Sequence, residues 1–377
     1  MVVKKVRGRL FKDITTNTFT TNFTTNHQRF FTTNHQLFSI VTKGISQLKK
    51  LLSKPKKIAI VTHWSPDGDA IGSSLGLWNF LEKKGHHATV IVPNEYPEFL
   101  NWMHGQKQVV DASKNKKKAE LTLKNAELIF CLDFNDLKRI NVLGEIIEKL
   151  PTPKVLIDHH PNPSDFADFV LHKVEASSTA ELIYDFIVEM KGAKLMDKHI
   201  ANCLYTGIMT DTGSFRFPST TTKTHLVIAK LMQAGAENSL NHIRIYDDNT
   251  ESRLRLLGYA LSEKLEVLPE YRTAFFTLTD ADLSRFKYKK GDTEGLVNYA
   301  LTIRGIVFAA FFAQSEGKVK CSFRSKGNFD VNMFAREGFN GGGHKNAAGG
   351  MLELSLEEVV KKFKSMLPEK LPQLKKA

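Results

Sequence analysis

The chain of 377 residues is long enough for two domains with at least one sizeable core, and 42% hydrophobic with 25% charged residues fits an ordinary globular protein. Its formal net charge of +13 is confined to the ends: residues 1–57 carry twelve Lys/Arg against Asp13, residues 361–377 carry six Lys against Glu369, and the stretch between is slightly acidic, which argues against a broad cationic face for long duplexes. Three dispersed cysteines argue against a disulfide framework or a zinc-thiolate site, and no apolar run reaches a membrane helix or resembles a secretory signal, so a cytoplasmic protein without a membrane anchor is expected.

In chain order, residues 15–38 contain four TTN triplets interleaved with Phe and His and show no helical or strand period. Residues 1–40 therefore read as a low-complexity basic extension without stable structure, or as sequence ahead of the true start. From there strands and helices alternate. Strands are expected at 58–61, 88–92, 128–132 and 155–157. Helices are expected at 70–84, 137–150 and 179–191, with 204–209 open between helix and strand. Alternation of this kind predicts a parallel sheet covered on both faces. Residues 41–235 would form this first domain. A polar connector at 236–268, with an amphipathic helix at 253–265, would lead to a smaller α/β domain at 269–377. That second domain has strands at 274–278, 305–314 and 318–324, a glycine-dense segment at 338–350 and a final helix at 356–366.

Five constellations carry chemistry. HWSPDGDAIGS (63–73) follows the first strand and precedes a helix, at the strand end where open α/β sheets bind ligands. His63, Asp67 and Asp69 there offer one imidazole and two carboxylates, a donor set suited to Mn²⁺ or Mg²⁺; an ordinary Asp-Gly turn with a helix cap would use the same residue types. Asp133 follows 128–132 directly, where a helix-capping Asp is equally common. IDHHP (157–161) sets Asp158, His159 and His160 in a row at a strand end. Packing does not account for three adjacent titratable groups, whose unpaired burial would cost several kcal/mol. TGIMTDTGSF (206–215) places Asp211 in what reads as a Thr/Gly-rich turn able to cradle phosphate oxygens, or as a plain Asx-turn. GGGHKNAAGG (341–350) lets the backbone approach a ligand at Gly341, Gly342 and Gly343 and projects His344. Arg324, at the end of a strand, is a candidate anion contact or a solvated surface arginine.

Taken in order, HxxPDxDAxGS, a strand-end Asp, DHH, a TDTG loop and a distal GGGH resemble the signature of DHH-superfamily phosphoesterases with the DHH-associated C-terminal domain. The resemblance spans roughly 45–367 and is strongest to the oligoribonuclease/pAp-phosphatase branch. It implies an active site in the cleft between a parallel-sheet domain and a smaller α/β domain. It also implies two divalent ions, Mn²⁺ first and Mg²⁺ or Co²⁺ as alternatives. His63 and Asp67 would hold one ion, Asp69, His159 and Asp211 the other, with Asp133 bridging. His160 would face substrate phosphate, and Asp158 would orient a ligand histidine. Arg324, His344 and the Gly341–Gly343 backbone would grip the substrate's terminal phosphate. The implied substrates are short single-stranded RNA or DNA oligonucleotides, or small nucleotides such as pAp. The alternatives are a linear or cyclic dinucleotide phosphodiesterase, a pyrophosphatase or exopolyphosphatase, and a nucleotide-binding sensor without activity. Homodimerisation is left open.

Overall fold

The computed structural model describes residues 41–315 and 317–377; the expectation for residues 1–40 lies outside them. The first sheet has seven strands, β1 (Val41–Lys43), β2 (Lys57–Thr62), β3 (His87–Val92), β4 (Val110–Asp111), β5 (Leu128–Leu132), β6 (Lys154–Asp158) and β7 (Phe169–His172). Their order is β1-β7-β6-β5-β2-β3-β4. Six strands run parallel, and only β1 pairs antiparallel, with β7. Strands β5 and β6 are buried at every residue, as expected when helices cover both faces of a sheet. From β2 the chain winds outward to β3 and β4, then returns to the other side of β2 with β5. The carboxyl ends of β2 and β5 therefore flank the topological switch point, where a crevice opens.

The covering helices are α1 (Ile45–Leu51), α2 (Gly68–Lys83), α3 (Lys116–Asn125), α4 (Val142–Lys149), α5 (Thr179–Glu189), α6 (Lys198–Asp211) and α7 (Thr222–Gln233). Residues 204–209, left open by sequence, lie inside α6. The single helix expected at 137–150 is broken: a 3₁₀ turn at Leu137–Ile140 ends at Asn141, whose φ of 49° is incompatible with helix, and α4 begins after it.

The segment read as a connector holds α8 (Asn238–His242) and α9 (Glu251–Glu263), and it ends in β8 (Leu265–Leu268), already an edge strand of the second sheet. Further on come β9 (Thr273–Leu278), α10 (Asp280–Arg285), α11 (Leu296–Leu301), β10 (Phe308–Ser315), β11 (Lys318–Ser325), α12 (Val331–Gly338), β12 (Gly342–His344), β13 (Ala347–Leu352) and α13 (Leu356–Lys376). The order β12-β13-β11-β10-β9-β8 is antiparallel except between β9 and β10. Phe275, Phe308, Phe312, Phe323, Phe329, Phe334, Phe339 and Phe363 interlock in one core on this sheet. Helix α13 runs well past the expected end at 366, because Leu367 and Leu374 continue the apolar face of Val359 and Phe363 into that core despite Pro368 and Pro372. No helix among the described residues is long and apolar enough to cross a membrane.

One helix pair positions the site. Gly68, Gly72 and Gly76 recur every four residues along the face of α2 that meets α6. A Cβ at Gly72 would lie 2.5 Å from the Cys203 carbonyl oxygen and 2.9 Å from the Gly207 nitrogen, so only glycine permits this approach. Gly72→Ala should therefore force the helices apart and lower stability by about 1–3 kcal/mol. Gly258→Ala, on α9 where a Cβ meets nothing within 4 Å, should instead raise it by about 0.5–1 kcal/mol. Thermal and denaturant unfolding of both variants checks the contrast.

Candidate metal centre

The residues singled out by sequence converge at the switch point. His63 follows β2 directly. Asp67 is the N-cap of α2 and accepts hydrogen bonds from the Asp69 and Ala70 amides, both at 3.0 Å. Asp69, 1% exposed, points the other way and accepts from the Thr179 and Ala180 amides at 2.6 and 2.8 Å, the first amides of α5. Asp133 follows β5 with φ 65°, a left-handed conformation that costs a non-glycine residue about 1–3 kcal/mol and concentrates at functional sites. His159 and His160 follow β6. Asp211 is the last residue of α6 rather than part of a turn, because the helix continues through Thr210.

Two triads result. His63 Nε2 lies 3.8 Å from Asp67 Oδ1 and 3.4 Å from Asp133 Oδ2. His159 Nε2 lies 3.9 Å from Asp69 Oδ2, 3.6 Å from Asp133 Oδ1 and 3.5 Å from Asp211 Oδ2. Asp133 thus turns one oxygen toward each histidine. In both His63–Asp67–Asp133 and Asp69–His159–Asp211 all donor atoms lie within 4.8 Å of one another. Most of these separations exceed good hydrogen bonds, so the donor atoms surround a shared gap. Each histidine directs its other nitrogen to an oxygen that only accepts: His63 Nδ1 donates to the Trp64 carbonyl at 2.9 Å and His159 Nδ1 to the Ala176 carbonyl at 3.2 Å. Each Nε2 is thereby the nitrogen that faces the carboxylates, and it offers a lone pair to a metal once its proton is displaced. This mixed imidazole and carboxylate set fits divalent ions such as Mn²⁺ or Mg²⁺.

Asp158 is hydrogen-bonded to His160 and not to His159. Its Oδ1 accepts from Nδ1 of His160 at 2.8 Å, and the Ala176 carbonyl takes that part for His159. Oδ2 of Asp158 is buried without a partner, and burial pushes this carboxyl up to about 6. From the second sheet, His344 lays its ring 4.3 Å from that of His160 at 23° and 4.6 Å from that of His159. Arg324, at the end of β11, is desolvated and feels the charges of Asp211 and Asp67. The Gly341–Gly343 backbone is less available than the sequence suggests. The Gly343 amide donates to Asn332 Oδ1 at 3.0 Å, and a Cβ at Gly341 would lie 1.9 Å from the Gly349 carbonyl oxygen. Those glycines serve the close β12–β13 pairing, not only a ligand.

Thr179 was missed by sequence reading. Its hydroxyl donates to Asp133 Oδ1 at 2.8 Å, while its amide holds Asp69. The signal available was the Ser178-Thr179 helix start, an N-cap whose exposed amides suit an anion.

Crowding shifts the titrations in opposite senses. Burial, reinforced by Asp133 and Asp211, holds the Asp69 carboxyl well above its usual range. Desolvation likewise pushes Asp211 up to about 7, with His159 opposing. For His63 burial disfavours the charge, but Asp133 and Asp67 outweigh it and raise the ring to about 10. Asp133 is held well below its ordinary value, because His63 and the other histidines overcome its burial. Without a cation, the cluster is neutralised by protons on some of its members.

Residues 57–208 match the DHH family, N-terminal domain, and residues 274–371 match the DHHA1 domain. The chain is 30% identical over 333 residues to a bifunctional oligoribonuclease and PAP phosphatase NrnA of Thermus thermophilus, covering 87% of this chain and 93% of that protein. It is 29% identical over 308 residues to the protein of the same name from Bacillus subtilis, covering 81% and 92%. Among solved structures, an exopolyphosphatase-related protein from Bacteroides fragilis is 41% identical, with a TM-score of 0.83 over 88% of this chain and 97% of that one.

The titrations predict how the metal-free chain responds to pH. Between about pH 6.5 and about pH 8.5, Asp211 (about 7) and His63 (about 10) hold protons that the unfolded chain releases. His160 and His344, whose folded values are lowered by burial, act in the opposite sense near about pH 6.5, where their unfolded rings are about half charged. They are neutral in both states above about pH 7.5, where the comparison is to be made. The folded state carries the excess protons, so stability falls as pH rises. EDTA-treated protein should melt at a lower temperature at the alkaline end, and Mn²⁺ should raise Tm more there because it displaces fewer protons. A metal-free Tm that climbed with pH would contradict this electrostatic account.

Proposed function

The chain belongs to the DHH family and carries the DHHA1 domain, and on that premise we propose that it hydrolyses phosphate esters of short oligonucleotides and of pAp with two bound divalent ions. The observation that carries this reading is Asp133, whose two carboxylate oxygens face two separate triads, His63–Asp67–Asp133 and Asp69–His159–Asp211. The names of the Thermus and Bacillus relatives support the substrate class. The imidazole donors beside the carboxylates support Mn²⁺ ahead of Mg²⁺, with Co²⁺ as an alternative that the donor set also suits. When bound, the ions would supply water activation and neutralise charge developing on the phosphoryl oxygens.

The protein's own groups do the rest. His160 is fixed by Asp158 through Nδ1 and would face the phosphate with Nε2; a proton taken up there beside the bound anion would let it stabilise the phosphate charge or protonate the leaving oxygen. His344 closes the centre from the second domain, and Arg324 sets a guanidinium near Asp211 for the substrate's terminal phosphate. Cys131, Cys203 and Cys321 are all buried and free, which supports a reducing cytoplasmic setting.

A phosphoanhydride hydrolase is the second reading, favoured by the name of the Bacteroides structure. Mn²⁺-loaded protein offered 5′-pApA, longer RNA, pAp, linear and cyclic dinucleotides and pyrophosphate distinguishes them. Mononucleotides should be released fastest from pApA, or adenosine monophosphate from pAp, whereas faster phosphate release from pyrophosphate would favour the second reading. Asp133→Ala should lower turnover on the best substrate by at least about 10³-fold while the chain stays folded, and unchanged turnover would sink both readings.

A further inference from the structure

One short segment, 176–180, touches half of the proposed ligand set. The Ala176 carbonyl accepts from His159, the Thr179 and Ala180 amides donate to Asp69, and the Thr179 hydroxyl donates to Asp133. Such contacts orient ligands only if the segment itself is held, and its anchor lies one residue beyond it. Glu181 is 1% exposed and stands at the third position of α5 behind the Ser178 cap. A glutamate there often folds back onto the cap's own amide. Here it turns into the protein instead. Its Oε2 accepts from the Ser177 hydroxyl at 2.6 Å and from the Thr224 hydroxyl at 2.9 Å, and its Oε1 lies 3.3 Å from Lys223 Nζ. Lys223 also pairs with Asp185, one turn further along α5. Thr224 belongs to the capping box that begins α7. A buried carboxylate thus ties the start of α5 both to the start of α7 and to the loop carrying Ala176.

We propose that Glu181 is a positioning residue for the metal centre: through Ser177, Thr224 and Lys223 it fixes segment 176–180, and that segment sets how tightly Asp69, Asp133 and His159 hold a divalent ion. The proposal rests on the two-ion reading above. An ion pair that serves only stability is the simple alternative, and burial alone makes breaking one costly. The two differ in what they do to metal affinity, since groups that orient ligands typically change it by about 10–100-fold when removed.

The test is calorimetric titration of Mn²⁺ into the full chain, with thermal melting of each variant alongside. Glu181→Ala and Ser177→Ala should each weaken Mn²⁺ binding by about tenfold or more. Glu181→Gln, which keeps an accepting oxygen, should recover much of that loss. Asp185→Asn touches Lys223 but not the segment, and should bind within about twofold of the parent while losing stability. Should Glu181→Ala fail to fold, Ser177→Ala and Thr224→Val decide, because both leave the Glu181–Lys223 pair in place. Parental affinity in cooperatively melting Ser177→Ala and Glu181→Ala overturns the proposal. So does an equal loss in Asp185→Asn. Asp133→Ala separates this failure from that of the parent reading. If it loses Mn²⁺ while the Glu181 and Ser177 variants do not, only the positioning role falls; if it too binds normally, the metal centre itself is misassigned.

Discussion

Asp67, Asp69, Asp133 and Asp211 share one pocket, and the first domain is organised around making that tolerable. Four carboxylates in one desolvated space repel, and each would take up a proton if left alone. The fold answers with positive groups that need no side-chain charge. Asp67 caps the first amides of α2, and Asp69 receives the first amides of α5. Two helix N-termini, each with the partial positive charge of its aligned peptides, therefore point at the cluster. His63 and His159 interleave with the acids, their outer nitrogens tied to backbone carbonyls. What remains uncompensated is concentrated at Asp69 and Asp211, whose carboxyls are pushed up, while Asp133, the group both histidines face, is held low.

Asp211 departs from this scheme in an informative way. It sits at the carboxyl end of α6, the end of a helix that disfavours an anion and favours a cation. Desolvation, with Asp67 and Asp133 nearby and His159 opposing, raises its titration, and the helix end offers no relief. A carboxylate there gains most when a cation lies beside it, so this position makes sense for a ligand and little sense for a structural aspartate. The glycine seam makes the placement available. With Gly72 against the Cys203 carbonyl and Gly207, α2 and α6 approach closely enough for the amino end of one and the carboxyl end of the other to share a pocket. Local composition along one helix face thereby controls the separation of Asp69 from Asp211, 142 positions apart in sequence.

Most of this centre was legible in the sequence because each ligand follows an apolar strand or opens a helix, and parallel sheets bring strand ends together. His63, Asp133, His159 and His160 could be placed by that rule alone. Asp211 could be singled out but not placed: Thr-Asp-Thr-Gly reads as a turn, and only the packing of α6 against α2 carries the helix through to it. The break at Asn141 was hidden for a related reason. Residues 137–150 keep a helical period, and a single left-handed residue resets the direction without disturbing it. The partner of Asp158 was illegible because it depends on which neighbouring ring turns inward, a matter of χ angles that spacing does not encode. Thr179 and Glu181 were overlooked because their work is done by a backbone amide, a hydroxyl and a buried carboxylate reaching across more than forty residues. The final helix, expected at 356–366, runs on through Pro368 and Pro372 because Leu367 and Leu374 pack on the phenylalanine core.

The charge distribution and the second domain together constrain what the centre can accept. A protein that tracks a long nucleic acid draws affinity from many phosphate contacts spread over a cationic surface. The stretch between residues 58 and 360 carries a slight acidic excess, so that source is missing from the catalytic body. Affinity for a polyanion must then come from a few groups close to the reacting phosphate. Those groups come from two sheets. His160 stands at the end of β6, while His344 and Arg324 reach it from the edge and interior of the second sheet. The β12–β13 hairpin that carries His344 is rich in glycine and alanine, and its arms press together where a Cβ at Gly341 would lie 1.9 Å from the Gly349 carbonyl oxygen. On the proposed reading, substrate is gripped between the end of β6 and the second sheet, and added nucleotides find no net cationic surface on a body that is slightly acidic. Extra length would then bring entropic cost without compensating contact, and the preference for short substrates follows from where the positive charge is absent as much as from where it is placed.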